Sequence, residues 1–552
     1  MNGLKVARPV VAALFIAAFL SACGSSNSSG HGASSSDVSH SAAGTPHNGG
    51  TLTIGSNEEP DTLNPLTTQL VTSDSVLSAV MEGLIDYNSN DHIIYRLATT
   101  YHVSKDGLTY TWYLRHGVKF QDGEPFNARV VVDNWKAIMN PKIGAYSQQG
   151  WNKITKITTP NNYTVVMHTK VRYAPFAYYV GSTYESPPSA FSSPKHNAQV
   201  FGRHPIGTGP YTFVKWVSGQ NIELKKNPNY WGNKPHINII NYKIVPNDNT
   251  QIVQLKTHDI QMIPYLSAIR YNDAKSVSGV VMVTKPSLSW YHLDLKNISL
   301  LEDTKVRVAL AYATPVAEIV QRIFHGLAVE DPTDFPPASP YYDPHVTPYP
   351  YSLSKASAML KADGFKKGSN GILQKNGAQL NIQYWIPSGD QETSEVQQIV
   401  TASWKQIGVG VTDHQEDIKS IWGPNGYQFT HAMTAGGYSW FNSNDPDDSF
   451  YWNSSQIPKT PTGSGGDAPE YFHKYPWQSQ IDMLTNEGVA TIQPSRRKVI
   501  YWKIQQLLHK EEPVLFMYSE KNIYAAPKNM IGFDPSAYNN LMWNVQNWEF
   551  TK

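Results

Sequence analysis

Cysteine is almost absent: Cys23 stands alone among 552 residues. A single thiol excludes an intramolecular disulfide and any thiolate cluster for zinc or iron–sulfur. An excess of either charge is missing too, since 45 Lys and Arg face 44 Asp and Glu for a net +1. The chain as a whole therefore carries no electrostatic footprint for nucleic acid. Beyond residue 22 no apolar run approaches the roughly 20 residues that span a bilayer as a helix. Catalytic signatures are lacking as well: there is no His-Glu-x-x-His, no glycine-rich phosphate loop ending in Lys-Ser or Lys-Thr, and no Gly-x-Ser-x-Gly elbow. The 18 histidines show no paired metal-ligand spacing. The acidic run Asp445-Pro446-Asp447-Asp448 lacks the glycine bend and terminal Glu of a calcium loop, and reads as a structural turn, with ligand contact as the sharper alternative. A triad can assemble from distant positions, so these absences weigh against an enzyme without excluding one.

What is present is a long, ordinary globular composition, 40% hydrophobic and 16% charged, expected to form about two to four domains. The 15 Trp, 32 Tyr and 18 Phe suit cores and adaptable binding surfaces alike. Residues 1–22 read as an export signal: Lys5 and Arg8 precede the eleven-residue apolar run Val10 to Leu20. It closes on Leu20-Ser21-Ala22-Cys23, which resembles the lipobox of bacterial lipoproteins, with Cys23 as the acylated residue. Residues 23–50, rich in Ser, Gly and Ala, then read as a flexible tether to the membrane surface. Its His31, His40 and His47 have no ligand spacing.

From residue 51 helix and strand signals alternate, so the fold class is mixed α/β, without an internal repeat. Leu52 and Ile54 mark a strand, and Thr109 to Phe120 a strand pair or bent strand broken at Gly117. Asn127 caps a helix ended by Pro141, and Tyr211–Val217 with Ile222–Lys225 forms a hairpin. A helix follows Asp303. Thr314-Pro315 starts another, with Thr as cap and Pro at the first helical position. Further helices are expected near 392–407 and 495–508, and surface loops at 330–350 and 455–470.

Several segments occur in a particular order: Gly50-Thr51-Leu52-Thr53-Ile54 before Pro60-Asp61-Thr62-Leu63-Asn64-Pro65; Glu82-Gly83-Leu84; KDGLTYTWYLRHGVKFQDGEPFNARVVVDNW within 97–141; PIGTGPYTF and LKKNPNYWGNKP within 205–235; DTKVRVALAYATPVAEIVQRIFHG within 303–326; and Asp363-Gly364-Phe365 before Asn370-Gly371-Ile372-Leu373. Together they resemble the family-five extracellular solute-binding proteins, the oligopeptide-, dipeptide- and nickel-binding lipoproteins of ABC importers, over nearly all of 50–550. The glycines of Gly207-Thr208-Gly209-Pro210 read as a tight turn into a strand.

The resemblance implies a two-lobed α/β fold of the periplasmic-binding-protein type, with a hinge and an extra inserted domain. The first lobe would comprise 51–81, 202–286 and 515–552, the inserted domain 82–201 and the second lobe 287–514. It implies a monomeric, non-catalytic receptor, without cofactor, that closes on a solute and delivers it to an ABC permease. The simplest ligand is a peptide; an oligosaccharide or metal chelate is the variant, and an exported enzyme or signalling lipoprotein the other class. In peptide-binding relatives an aspartate three positions before an acidic-Pro motif holds the peptide's α-amine. Anchoring on Asp445-Pro446 puts Asn442 there, an acceptor without charge, so Asp445 or Glu59 would have to supply the anion, or the ligand has no free amine. Trp440 and Tyr438 would stack on the ligand, Trp385 would line the cleft, and Tyr291 follows the presumed lobe crossing.

Overall fold

The computed structural model describes residues 45–462, 466, 469–538 and 540–552. The export signal, Cys23 and the tether up to residue 44 lie outside them. The tether's last residues are not free: Pro46 and His47 pair with Thr551 and Phe550 of the C-terminal strand, and the Gly49 amide donates to the His236 carbonyl at 2.9 Å.

Two sheets frame the molecule. In the first, Thr51–Ser56 runs parallel to Ile239–Ile244, which continues antiparallel into the hairpin Asn221–Lys226 and Tyr211–Val217. Leu52 and Ile54 are wholly buried, as their alternation with Thr requires. The second has six strands in the order Ala328–Glu330, Val514–Glu520, Ser289–Leu295, Ala435–Phe441, Asn381–Pro387 and Gly410–Glu416. Asn381–Pro387 is parallel to both of its neighbours, and Ser289–Leu295 is antiparallel to both of its own. The chain crosses between the two sheet systems twice, side by side. Val280–Lys285 pairs with Asn522–Pro527, and the two continue into Ser289–Leu295 and back into Val514–Glu520. A third, four-stranded sheet (Ala98–Val103, Thr109–Leu114, Thr164–Thr169, Ile154–Asn161) packs on helix Ala128–Ile138 around Trp112, Phe126 and Trp151.

Most local expectations hold at the level of single caps. Asn127 Oδ1 accepts from the Arg129 amide, and Asp303 accepts from that of Lys305. Thr109 starts a strand that ends at Leu114, and the chain turns through Gly117 before the Lys119–Pro125 bridge. Two expectations are corrected. Thr314 does not cap: its hydroxyl donates to the Leu310 carbonyl and accepts from Trp404 Nε1, while Pro315 sits before the helix Val316–Arg322. Nor is 330–350 a surface loop throughout, because Asp331, Asp334, Phe335 and Asp343 are buried, with Trp452 Nε1 donating to Asp334.

The ordered motifs meet at one carboxylate. Buried Glu82 accepts from Thr208 Oγ1 (2.8 Å), Tyr230 OH (2.8 Å) and Trp231 Nε1 (2.7 Å). Thus Glu82-Gly83-Leu84, GTGPYTF and NPNYW form a single hydrogen-bonded unit. Close approach, and not a special dihedral, fixes the glycines here. A Cβ on Gly207 would sit 2.1 Å from the Val80 carbonyl oxygen, one on Gly209 2.7 Å from it, and neither residue has positive φ.

Candidate ligand-binding cleft

The carboxyl ends of Asn381–Pro387, Ala435–Phe441 and Val514–Glu520 lie at one edge of the six-stranded sheet. In α/β sheets, ligands bind outside such ends. Two groups of cavities open there. One, of about 670 Å³, is walled by Ser289, Gly389–Glu392, Ser439 and Glu520–Ile523. Its opposite wall is Asn57 and Pro246–Asn249, which follow the carboxyl ends of the first sheet's two parallel strands, together with Tyr265–Arg270. The other, of about 540 Å³, lies between Phe441–Ser443, Asp447 and Tyr451 on one side and Tyr146, Gln149, Tyr178 and Tyr179 on the other. Those four residues also line an adjoining space of about 470 Å³ that reaches Asp74, Trp151 and Asn540. The short helix Phe176–Gly181 buries Phe176, Ala177 and Val180, and this turns Tyr178 and Tyr179 toward the opening.

Hydrogen bonds tie the walls together. Tyr173 OH donates to Asp447 Oδ2 (2.8 Å), Tyr179 OH lies 3.1 Å from Ser443 Oγ, and Asn444 Nδ2 donates to Asp91 Oδ1 (2.9 Å) and the Tyr538 carbonyl (2.8 Å). Burial holds Asp74 up at about 6, repulsion from Asp86 adding to it against a hydrogen bond from Tyr184. Burial also pushes Glu520 up to about 8, with Glu392 and Asp390 adding repulsion.

Of the residues singled out in the sequence, Asn442 lines these cavities. It is 2% exposed; its Nδ2 donates to the Asp334 carbonyl, and its Oδ1 has no partner among the described residues. Tyr438 and Trp440 alternate with Ser439 and Phe441, and it is Ser439 and Phe441 that face the cavities. Trp440 stacks on Tyr451 at 4.4 Å and meets Trp290 edge-on, while Tyr438 packs on Trp422 and His292. Trp385 is buried, stacked between His414 and Tyr427, with its indole donating to the Ala432 carbonyl. Tyr291 is buried against Tyr518 beside the crossing. Asp445 is paired with the buried guanidinium of Arg497, which also donates to the Pro446 carbonyl. Glu59 pins the first sheet's hairpin, accepting from Trp216 Nε1, Ser218 Oγ and the Gly219 amide. Burial works to raise its pKa, but these donors and Arg203 outweigh it and hold the carboxyl below its ordinary value. Neither Asp445 nor Glu59 is therefore a free anion. Tyr146, Gln149, Tyr178, Tyr179, Asp248 and Glu520 were not singled out. The Tyr178-Tyr179 pair inside an apolar stretch was the one sequence signal available for them.

Residues 92–460 match the family of bacterial extracellular solute-binding proteins, family 5. The chain belongs to that family. Its members are non-enzymatic, extracytoplasmic substrate-binding proteins of ABC import. Over 577 residues, covering both chains fully, the sequence is 26% identical to the oligopeptide-binding protein AppA of Bacillus subtilis. Against the glutathione-binding protein GsiB of Salmonella typhimurium it is 28% identical over 497 residues, 87% of this chain and 91% of that one. The fold is similar to that of B. subtilis AppA in complex with a nonapeptide (TM-score 0.79, 24% identity, 92% of this chain and 100% of that one). It is equally similar to NikZ of Campylobacter jejuni in complex with Ni(L-His) (TM-score 0.80, 24% identity, 90% and 99%). Among the described residues no helix is long and apolar enough to cross a membrane.

Proposed function

We propose that this family-5 protein captures a peptide in the cleft described above and hands it to an ABC permease, held at the membrane by a lipid on Cys23. The lobes would be 51–81 with 202–286 and 515–552, and 287–514, with 82–201 inserted; they would close by bending at the two crossing strands. The observation that carries the reading is the run of cavities along one sheet edge. Each has the size of a site for a compact ligand, and the Tyr-lined and polar spaces in series suit an extended chain. Asn442 Oδ1, buried and unpartnered, offers an acceptor to a ligand N–H. The two relatives, an oligopeptide-binding and a glutathione-binding protein, support the same class.

Closure supplies the test. With Cys23→Ser the chain has no native cysteine, so spin labels at Val253→Cys and Ile418→Cys, both exposed, report one distance across the proposed lobes. Adding a mixture of three- to nine-residue peptides should shift the distribution toward the shorter distance. A distribution indifferent to peptides, in protein stripped of ligand by partial denaturation and refolding, would contradict capture by closure.

A further inference from the structure

The charge lining the cleft is lopsided although the chain's total is not. Six carboxylates face the three spaces: Asp74, Asp447, Asp248, Asp390, Glu392 and Glu520. Two cations do, Arg270 and Lys521, both in the 670 Å³ cavity, and both are engaged. Lys521 Nζ donates to the Gly326 carbonyl, and Arg270 pairs with Asp273 at 3.6 Å. The Tyr-lined spaces contain neither Lys, Arg nor His.

Four of the six acids already have donors, Asp74 among them through Tyr184. Asp390 caps the helix Gln391–Gln406, Glu392 accepts from Ser267 Oγ and the Ile269 amide, and Asp447 accepts from Tyr173. Glu520 has no donor or ion pair among the described residues, and Asp248 has no hydrogen-bond donor there. The two come from opposite walls: Glu520 ends a strand of the six-stranded sheet, and Asp248 opens the helix Asp248–Lys256 that follows the first sheet. Closing these carboxyls into one cavity favours their protonated forms unless a cation enters with the ligand and stabilises the charged ones. Burial raises both carboxyls above their ordinary values, for Asp248 against the pull of Arg270.

We infer that the preferred ligand is a basic peptide, its ammonium or guanidinium group seated in the 670 Å³ cavity among Asp248, Asp390, Glu392 and Glu520. This inference rests on the peptide reading above. The rings of Tyr146, Tyr178 and Tyr179 that line the neighbouring spaces favour cationic groups there as well.

Calorimetric titration of the full-length protein, stripped of ligand as above, with three pentapeptides that differ only in a central Lys, Gln or Glu tests it, with spermidine as a fourth probe. The Lys peptide should bind about tenfold more tightly than the Gln peptide, and the Glu peptide more weakly than both. Glu520→Gln and Asp248→Asn should each shrink the Lys/Gln ratio several-fold. Asp248→Asn leaves the buried strand Val514–Glu520 untouched, so a folding defect in Glu520→Gln would not hide the answer. Equal affinity for the Lys and Gln peptides would overturn the cationic preference while leaving a peptide receptor. Binding of spermidine with no peptide bound would instead overturn the peptide reading and keep the cation site.

Discussion

Glu185 is wholly buried, and neither carboxylate oxygen has a partner among the described residues. Burial alone lifts it to about 8 from 4.5. An acid whose folded pKa is raised contributes its full stability below the unfolded value and loses it as pH rises through the folded one, here between about 4.5 and 8. Glu185→Gln removes that loss, so its stability relative to the parent should rise by about 2–4 kcal/mol between pH 4.5 and 8.5 in denaturant unfolding. Parallel curves for the two proteins would show that Glu185 does not titrate in this window. At Asn442 the expectation has two parts. Asn442→Asp should cost about 1–3 kcal/mol, because the Asp334 carbonyl loses its donor. It should also raise the preference for free-amine over N-acetylated peptides about tenfold in paired titrations. An unchanged preference would remove Asn442 from the site.

At the scale of elements, the unit around Glu82 shows what joins widely separated segments: Thr208 supplies one donor, Tyr230 and Trp231 two more, and Gly207 and Gly209 a close approach to the Val80 backbone. Gly207→Ala should destabilise by about 1–3 kcal/mol in denaturant unfolding, since its Cβ meets backbone that cannot turn aside. A neutral outcome would mean that the Val80 segment yields. The helix after Asn127 and the hairpin Tyr211–Lys226 were legible in the sequence because cap, period and turn are local. The buried course of 331–343 was not, since long-range partners such as Trp452 decide it. The site was half legible for a related reason. Alternation along 435–441 says that Tyr438 and Trp440 share a face, but only the packing of Trp290, His292 and Tyr451 against that face turns Ser439 and Phe441 to the cleft. Glu59 and Asp445 looked available as anions because their donors, Trp216, Ser218 and Arg497, lie far along the chain.

At the scale of the whole molecule, a near-neutral chain gathers six carboxylates around one cleft whose walls come from sequence positions hundreds of residues apart. In the proposed reading the paired crossing strands would be the hinge, and the cross-wall bonds from Tyr173, Tyr179 and Asn444 would hold the walls together once closed. Solute binding for ABC import is the work the family does; under the proposal, closing walls would shield the ligand and present one shape to the permease. The most direct measurement is native mass spectrometry of gently purified protein, followed by denaturation and identification of what is released. The expected result is a ladder of peptide masses enriched in Lys and Arg. A metal chelate, a sugar or a single non-peptide molecule in stoichiometric amount would contradict the account.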